Sequence, residues 1–148
     1  MEREELTRKQ LEAALGDGRT DFRGVDVVGQ DLRGLDLSGV DFTGALLRYV
    51  NLENIAPNNA YELVLRDADL TGANLKGAQL MFAIMVRATL AVTPSTPEIF
   101  DEFTRLPTYD KYYEGMTIDG KPYDAKAWRE QMRAHDGVIA QQSFPVGR

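Results

Sequence analysis

Thr20-Asp21-Phe22-Arg23-Gly24-Val25-Asp26-Val27-Val28-Gly29-Gln30-Asp31-Leu32-Arg33-Gly34 reads in fives. Phe22, Val27 and Leu32 open an apolar series that continues at Leu37, Phe42, Leu47 and Leu52. Two residues ahead of each stands a smaller, mostly apolar residue, among them Val25, Leu35, Val40, Ala45 and Val50. Between the two sits an acid or amide: Asp21, Asp26, Asp31, Asp36, Asp41 and Asn51. After an interruption the series returns with Leu65, Leu70, Leu75, Leu80, Met85 and Leu90. Helices repeat about every 3.6 residues and strands about every 2.0, so neither explains a strict five. A chain that turns a corner every five residues does. Each side then buries one narrow ridge, and such ridges make a core only by stacking. If four sides complete a turn, Phe22 lies under Phe42, Val27 under Leu47 and Leu32 under Leu52.

Runs such as Ala68-Asp69-Leu70-Thr71-Gly72 and Ala73-Asn74-Leu75-Lys76-Gly77 resemble the A-(D/N)-L-x-x unit of the pentapeptide-repeat family. That resemblance implies a β-solenoid: a right-handed quadrilateral β-helix with four pentapeptides per coil. Residues 20–92 would supply about 3.5 coils, or about 17 Å of stack at ~4.8 Å per strand spacing. Residues 1–19 are expected to form an N-terminal capping helix, since Thr7-Arg8-Lys9-Gln10 fits a capping box and Gly16-Asp17-Gly18 a stop. Glu53-Asn54-Ile55-Ala56-Pro57-Asn58-Asn59 is rich in turn formers and predicts a loop near 53–62, after which the repeat resumes in phase. Gln30, a polar residue at an inward position, is expected to find a backbone partner.

From Thr93 the period is gone, and residues 93–148 read as a helical, aromatic-rich appendage. Thr96 and Pro97 start a predicted helix whose apolar face is Ile99, Phe100, Phe103 and Leu106, and Pro107 ends it. Asp119-Gly120 predicts a turn between extended pieces at 116–118 and 121–123. Asp124 caps a second predicted helix from Ala125 to about His135.

The net charge of −6 argues against direct binding to nucleic acid or anionic membranes. There are no cysteines, hence no thiolate nucleophile or cysteine-held metal. No apolar run approaches the ~18–20 residues of a membrane span. The charged stretch at residues 1–10 lacks the apolar centre of a secretory signal, so a cytoplasmic location is expected. No catalytic motif is present, and no cofactor, metal or small-molecule substrate is expected. The single histidine, His135, suits the last turn of a helix. The acids from Asp21 to Asp41 fall on successive sides and do not converge on one ion. They are expected instead to accept backbone amides at the corners.

The expected function is therefore a non-catalytic protein–protein interaction or assembly module, such as a subunit of a phage particle or similar complex. Its partner would be another protein or a second copy. Phe100 and Phe103 are expected to close the stack, and Tyr112, Tyr113 and Phe144 to contact the partner, because aromatic residues dominate interface cores. The alternative is a DNA-mimicking inhibitor or protector of a type II topoisomerase, as some members of the family are. About 17 Å of stack matches only about five base pairs at 3.4 Å each.

Overall fold

The structure, a computed structural model, describes residues 2–131. Its organising feature is parallel pairing at a fixed offset. Asp21 bridges Asp41, Asp26 bridges Leu46 and Asp31 bridges Asn51, each twenty residues on. Across the interruption the offset becomes twenty-three, as Asp41 meets Val64, Leu46 meets Asp69 and Asn51 meets Asn74. It then returns to twenty at Val64 and Ile84, and between β1 (Asp69–Thr71) and β2 (Thr89–Ala91). The three extra residues are absorbed by a 3-10 turn, Pro57–Ala60, and the inward positions come back into phase. This is a β-solenoid.

The sequence makes this corner for a stated reason. Ala45 N–H donates to Phe42 O at 2.9 Å and Val40 N–H to Leu37 O at 3.1 Å, closing four-residue turns. The third residue of these turns has positive φ, 69° at Gly44 and 70° at Gly39, which is the type II pattern. The preceding Asp or Asn tightens the turn. Asp26 Oδ1 accepts from Val28 N–H at 2.9 Å, and Asp31, Asp36, Asp41, Asn51, Asp69 and Asn74 act alike. With the corners fixed, the inward positions are removed from water, apart from Thr20 and the half-buried Gln30 of the first layer. Phe22, Phe42, Ala45, Val50, Leu65, Leu70, Ala73 and Leu75 are all fully buried, and the Phe22 and Phe42 rings stack at 5.7 Å between centroids.

At three corners that lack a glycine, a side chain folds over the glycine of the next layer. Tyr49 (φ 59°) lies on Gly72, Asn54 (φ 61°) on Gly77 and Arg87 (φ 56°) on Gly115. A Cβ at Gly77 would run into Asn54 Oδ1, in addition to the strain of its φ of 69°. At Gly34 (φ 78°) nothing lies within 4 Å, so only the φ strain applies. We expect Gly34→Ala to cost about 1 kcal/mol and Gly77→Ala about twice that, read from urea midpoints.

The N-terminal end is capped by more than a helix. Asp26 N–H donates to Glu4 O and Leu6 N–H to Asp26 O, so residues 4–6 pair alongside the first layer. Then α1 (Arg8–Gly16) follows with its capping box formed: Thr7 Oγ1 accepts from Gln10 N–H, and Gln10 Oε1 from Thr7 N–H at 2.9 Å. Leu11 on its inner face is fully buried. Gln30 finds its partner here, its Oε1 accepting from Arg8 N–H at 2.9 Å.

The C-terminal end departs from the sequence reading. Residues 97–106 are not helical. They continue the solenoid as two extended pieces either side of a turn at 102–103: Leu75 N–H donates to Ile99 O, Leu80 N–H to Arg105 O, and Arg105 N–H to Ala78 O. Thr104, fully buried, donates its hydroxyl to Leu75 O at 2.8 Å. The layer below ends in a row of unpaired amides, and satisfying them outweighs the weak local preference of a ten-residue helix. Thr96 does not cap a helix. It closes a tight turn, accepting from Thr93 N–H. Further on, Met85 N–H donates to Tyr112 O within α2 (Asp110–Tyr113), and β3 (Thr117–Ile118) pairs in parallel with β2. β4 (Lys121–Pro122) folds back antiparallel through Asp119-Gly120, whose φ values of 53° and 77° make the expected hairpin turn. A helix over 125–131 follows, with Asp124 Oδ1 accepting from Ala127 N–H. Helical content in the described C-terminal part is confined to these two short pieces.

Candidate interaction surfaces

The expected closing pair divides. Phe100 is half-buried, its ring edge-on to Trp128 at 5.3 Å. Phe103 is 47% exposed and does not close the stack. Ile99 and Leu106, both buried, take that place, because the extended chain turns these two inward where a helix would have put Phe103 beside Ile99.

The predicted partner residues fall as follows. Tyr112 and Tyr113 are half-buried on α2. Tyr113 Oη donates to Asp110 Oδ1 at 2.7 Å, and its ring meets Tyr123 edge-on at 5.1 Å. Tyr112 stands beside Tyr109, rings 6.0 Å apart, and Lys111 Nζ lies 5.3 Å from the Tyr112 ring. Tyr109 is the most open of these at 60%. Phe144 and His135 lie outside the described residues.

A second aromatic pair was not singled out as a site from sequence. Tyr61, just past the Pro57–Ala60 turn, lies edge-on to Phe82 at 6.0 Å, and both are exposed. The available signal was an aromatic directly after the interruption and another at an outward position, among the apolar outer residues Met81, Phe82, Ile84 and Val86. Of those four, Val86 is buried.

Four acids of the repeat faces are matched by arginines. Arg23 pairs with Asp21, Arg33 with Asp31, Arg48 with Asp69 and Arg87 with Asp67, at 2.6–2.9 Å. The Arg23 and Arg33 guanidiniums, with the amide of the same residue in each case, hold the Asp21 and Asp31 carboxyls down to about 2. A carboxyl held below its ordinary 3.8 contributes stability that is complete above that value and vanishes as pH falls through 2. We therefore expect a modest loss of urea stability between about pH 4 and pH 2, and 1 M salt to flatten it because these pairs are exposed.

Among the described residues no group of three or more metal-ligating side chains converges, and no helix is long and apolar enough to cross a membrane. A chain that stacks short sides in parallel, with Tyr61, Phe82, Phe103 and Tyr109 exposed, is a solenoid with surfaces to offer. The pentapeptide-repeat family model matches it in eight copies, over residues 20–55 and 62–91. These residues are pentapeptide repeats. No curated protein sequence matches it.

Proposed function

We propose that the chain is a non-catalytic interaction or assembly module built on a right-handed, four-sided β-helix, working in the cytoplasm as a subunit of a larger complex. Its partner is another protein or a second copy, and Tyr112, Tyr113 and Phe144 contact it. The observation that carries this reading is Tyr109, 60% exposed and edge-on to Tyr112, which extends that surface at the end of a stack whose core is apolar. Exposed aromatic clusters of this kind mark contact surfaces. The pentapeptide repeats, whose stacked sides make stiff faces, support the same reading. A phage particle or similar machine is the kind of assembly we favour.

Sedimentation of the purified chain, alone and with candidate partners, tests this. Tyr109→Ser with Tyr112→Ala and Phe144→Ala should weaken association at least thirtyfold, the scale of about 2 kcal/mol for an interface anchor. The melting temperature of the isolated chain should stay nearly unchanged. A variant that melts far lower, from a wild type that stays monomeric and partnerless, would reduce these residues to part of the cap.

The mimicry reading is less well supported, because a duplex presents unneutralised charge and four of the repeat acids here are tied to arginines. Micromolar protein is expected to leave gyrase supercoiling unchanged.

A further inference from the structure

A groove of about 470 Å³ lies between the last layer of the solenoid and the helix over 125–131. Its apolar walls include Phe100, Ile118, Tyr123 and Trp128. Its polar residues include Glu98, Asp119 and Asp124, and no lysine or arginine is among the described residues that line it. The nearby Arg129 is turned to another task, donating to Thr108 O at 3.1 Å. Asp119 and Asp124 each give one carboxylate oxygen to a backbone amide, of Val92 and Ala127 respectively. Each has a second oxygen for a ligand.

Two features say what the groove takes. Three acids over aromatic walls, with no cation among the described residues that line the groove, favour a positive side chain that also buries its apolar stem. Trp128 Nε1 is buried and has no acceptor among the described residues. Such a donor is costly to leave unpaired, and a peptide carbonyl is the acceptor an extended chain brings.

We propose that this groove docks an extended segment of a partner protein in which basic side chains alternate with apolar ones. The proposal rests on the interaction reading above and gives the partner its chemistry. The basic side chains lie toward Glu98, Asp119 and Asp124, the apolar ones against Phe100 and Trp128, and the indole turns out of its buried position so that a main-chain carbonyl accepts from Trp128 Nε1.

Trp128 is the only tryptophan of the chain, so its emission reports on the groove directly. The full chain is titrated with acetyl-Leu-Arg-Phe-Arg-Leu-amide and with the same peptide carrying Glu in place of Arg. A saturable emission change with the basic peptide is expected, at least tenfold weaker in the Glu98→Lys variant and absent with the acidic peptide. Glu98 is an exposed loop residue, so this variant keeps the fold, which circular dichroism checks. Three results would each overturn the proposal: no response to the basic peptide, equal response to both, or binding seen only after residues 132–148 are removed. The last would make the chain's own end the occupant. If the peptide fails while sedimentation shows association, the groove alone is wrong and the interaction reading stands.

Discussion

Leu70→Lys should abolish the cooperative unfolding transition. Leu70 is the centre of β1, fully buried, paired with Leu90 of the layer above through the β1–β2 register. Its neighbour Asp69 accepts from Leu47 N–H of the layer below at 2.8 Å, so the side is held from both directions. Losing the leucine forfeits roughly 1.5–3 kcal/mol of burial. Placing an ammonium there without a partner adds several more, and the sum is a large part of the ~5–15 kcal/mol that holds an ordinary domain together. The control is Lys76→Leu, the residue directly after another inward leucine, Leu75, but turned outward and half-exposed. It should move stability by no more than about 0.5 kcal/mol, as outward substitutions do. Circular dichroism in urea reads both. A Leu70→Lys variant with an unchanged midpoint would show that the five-residue register is wrong.

Phe42→Ala should cost about 3–5 kcal/mol, the range for removing a buried ring from a core that cannot collapse around the hole. The reason for expecting the full range is architectural. Phe42 is sandwiched in its column, with Phe22 on one side at 5.7 Å, and its own main chain is pinned by Phe42 N–H to Val64 O and Ala45 N–H to Phe42 O. A side fixed at both corners has little freedom to move inward. Phe22→Ala should cost less, because its other side meets only the cap, and the double variant should show about 0.5–1.5 kcal/mol of coupling between the rings. Independent, equal costs would mean that the two rings are not stacked.

The repeat segment was readable because each five carries its own instructions. Phe42, Ala45 and Asp41 state which positions go inward and which one ties the corner, and no distant residue is needed to interpret them. The interruption was readable too, since Pro57 and its neighbours cannot continue the pattern. So was the hairpin at Asp119-Gly120. Residues 97–106 misled for a physical reason. Ile99, Phe100, Phe103 and Leu106 have the spacing of a helical stripe. Yet Ile99 and Leu106 are seven apart because they are inward positions on extended chain, and the amides of Leu75 and Leu80 that hold it there are more than twenty residues away. Thr104-Arg105-Leu106 is in fact one more repeat unit in disguise: a small inward residue, a bridging one and a large inward one, with Asp101 Oδ1 accepting from Phe103 N–H like the corner acids. Glu4–Leu6 escaped notice likewise, since nothing in a charged run announces that it will pair with Asp26. The proposed partner surface was legible only as an excess of aromatics. Which of them stay open depends on packing, and that selected Tyr109 and the Tyr61–Phe82 pair over the buried face of Tyr113.

The central claim is that the solenoid runs on past the end of its own sequence repeat. Amide hydrogen exchange tests it most directly. Leu80, Arg105, Thr117 and Asp119 donate to Arg105 O, Ala78 O, Ala88 O and Leu90 O, across the boundary near Thr93. These amides should be protected in the same class as Leu47 and Leu65 within the repeats, and should open with them as one unit. Exchange of Arg105, Thr117 and Asp119 at open-chain rates, with Leu47 and Leu65 still protected, would contradict it.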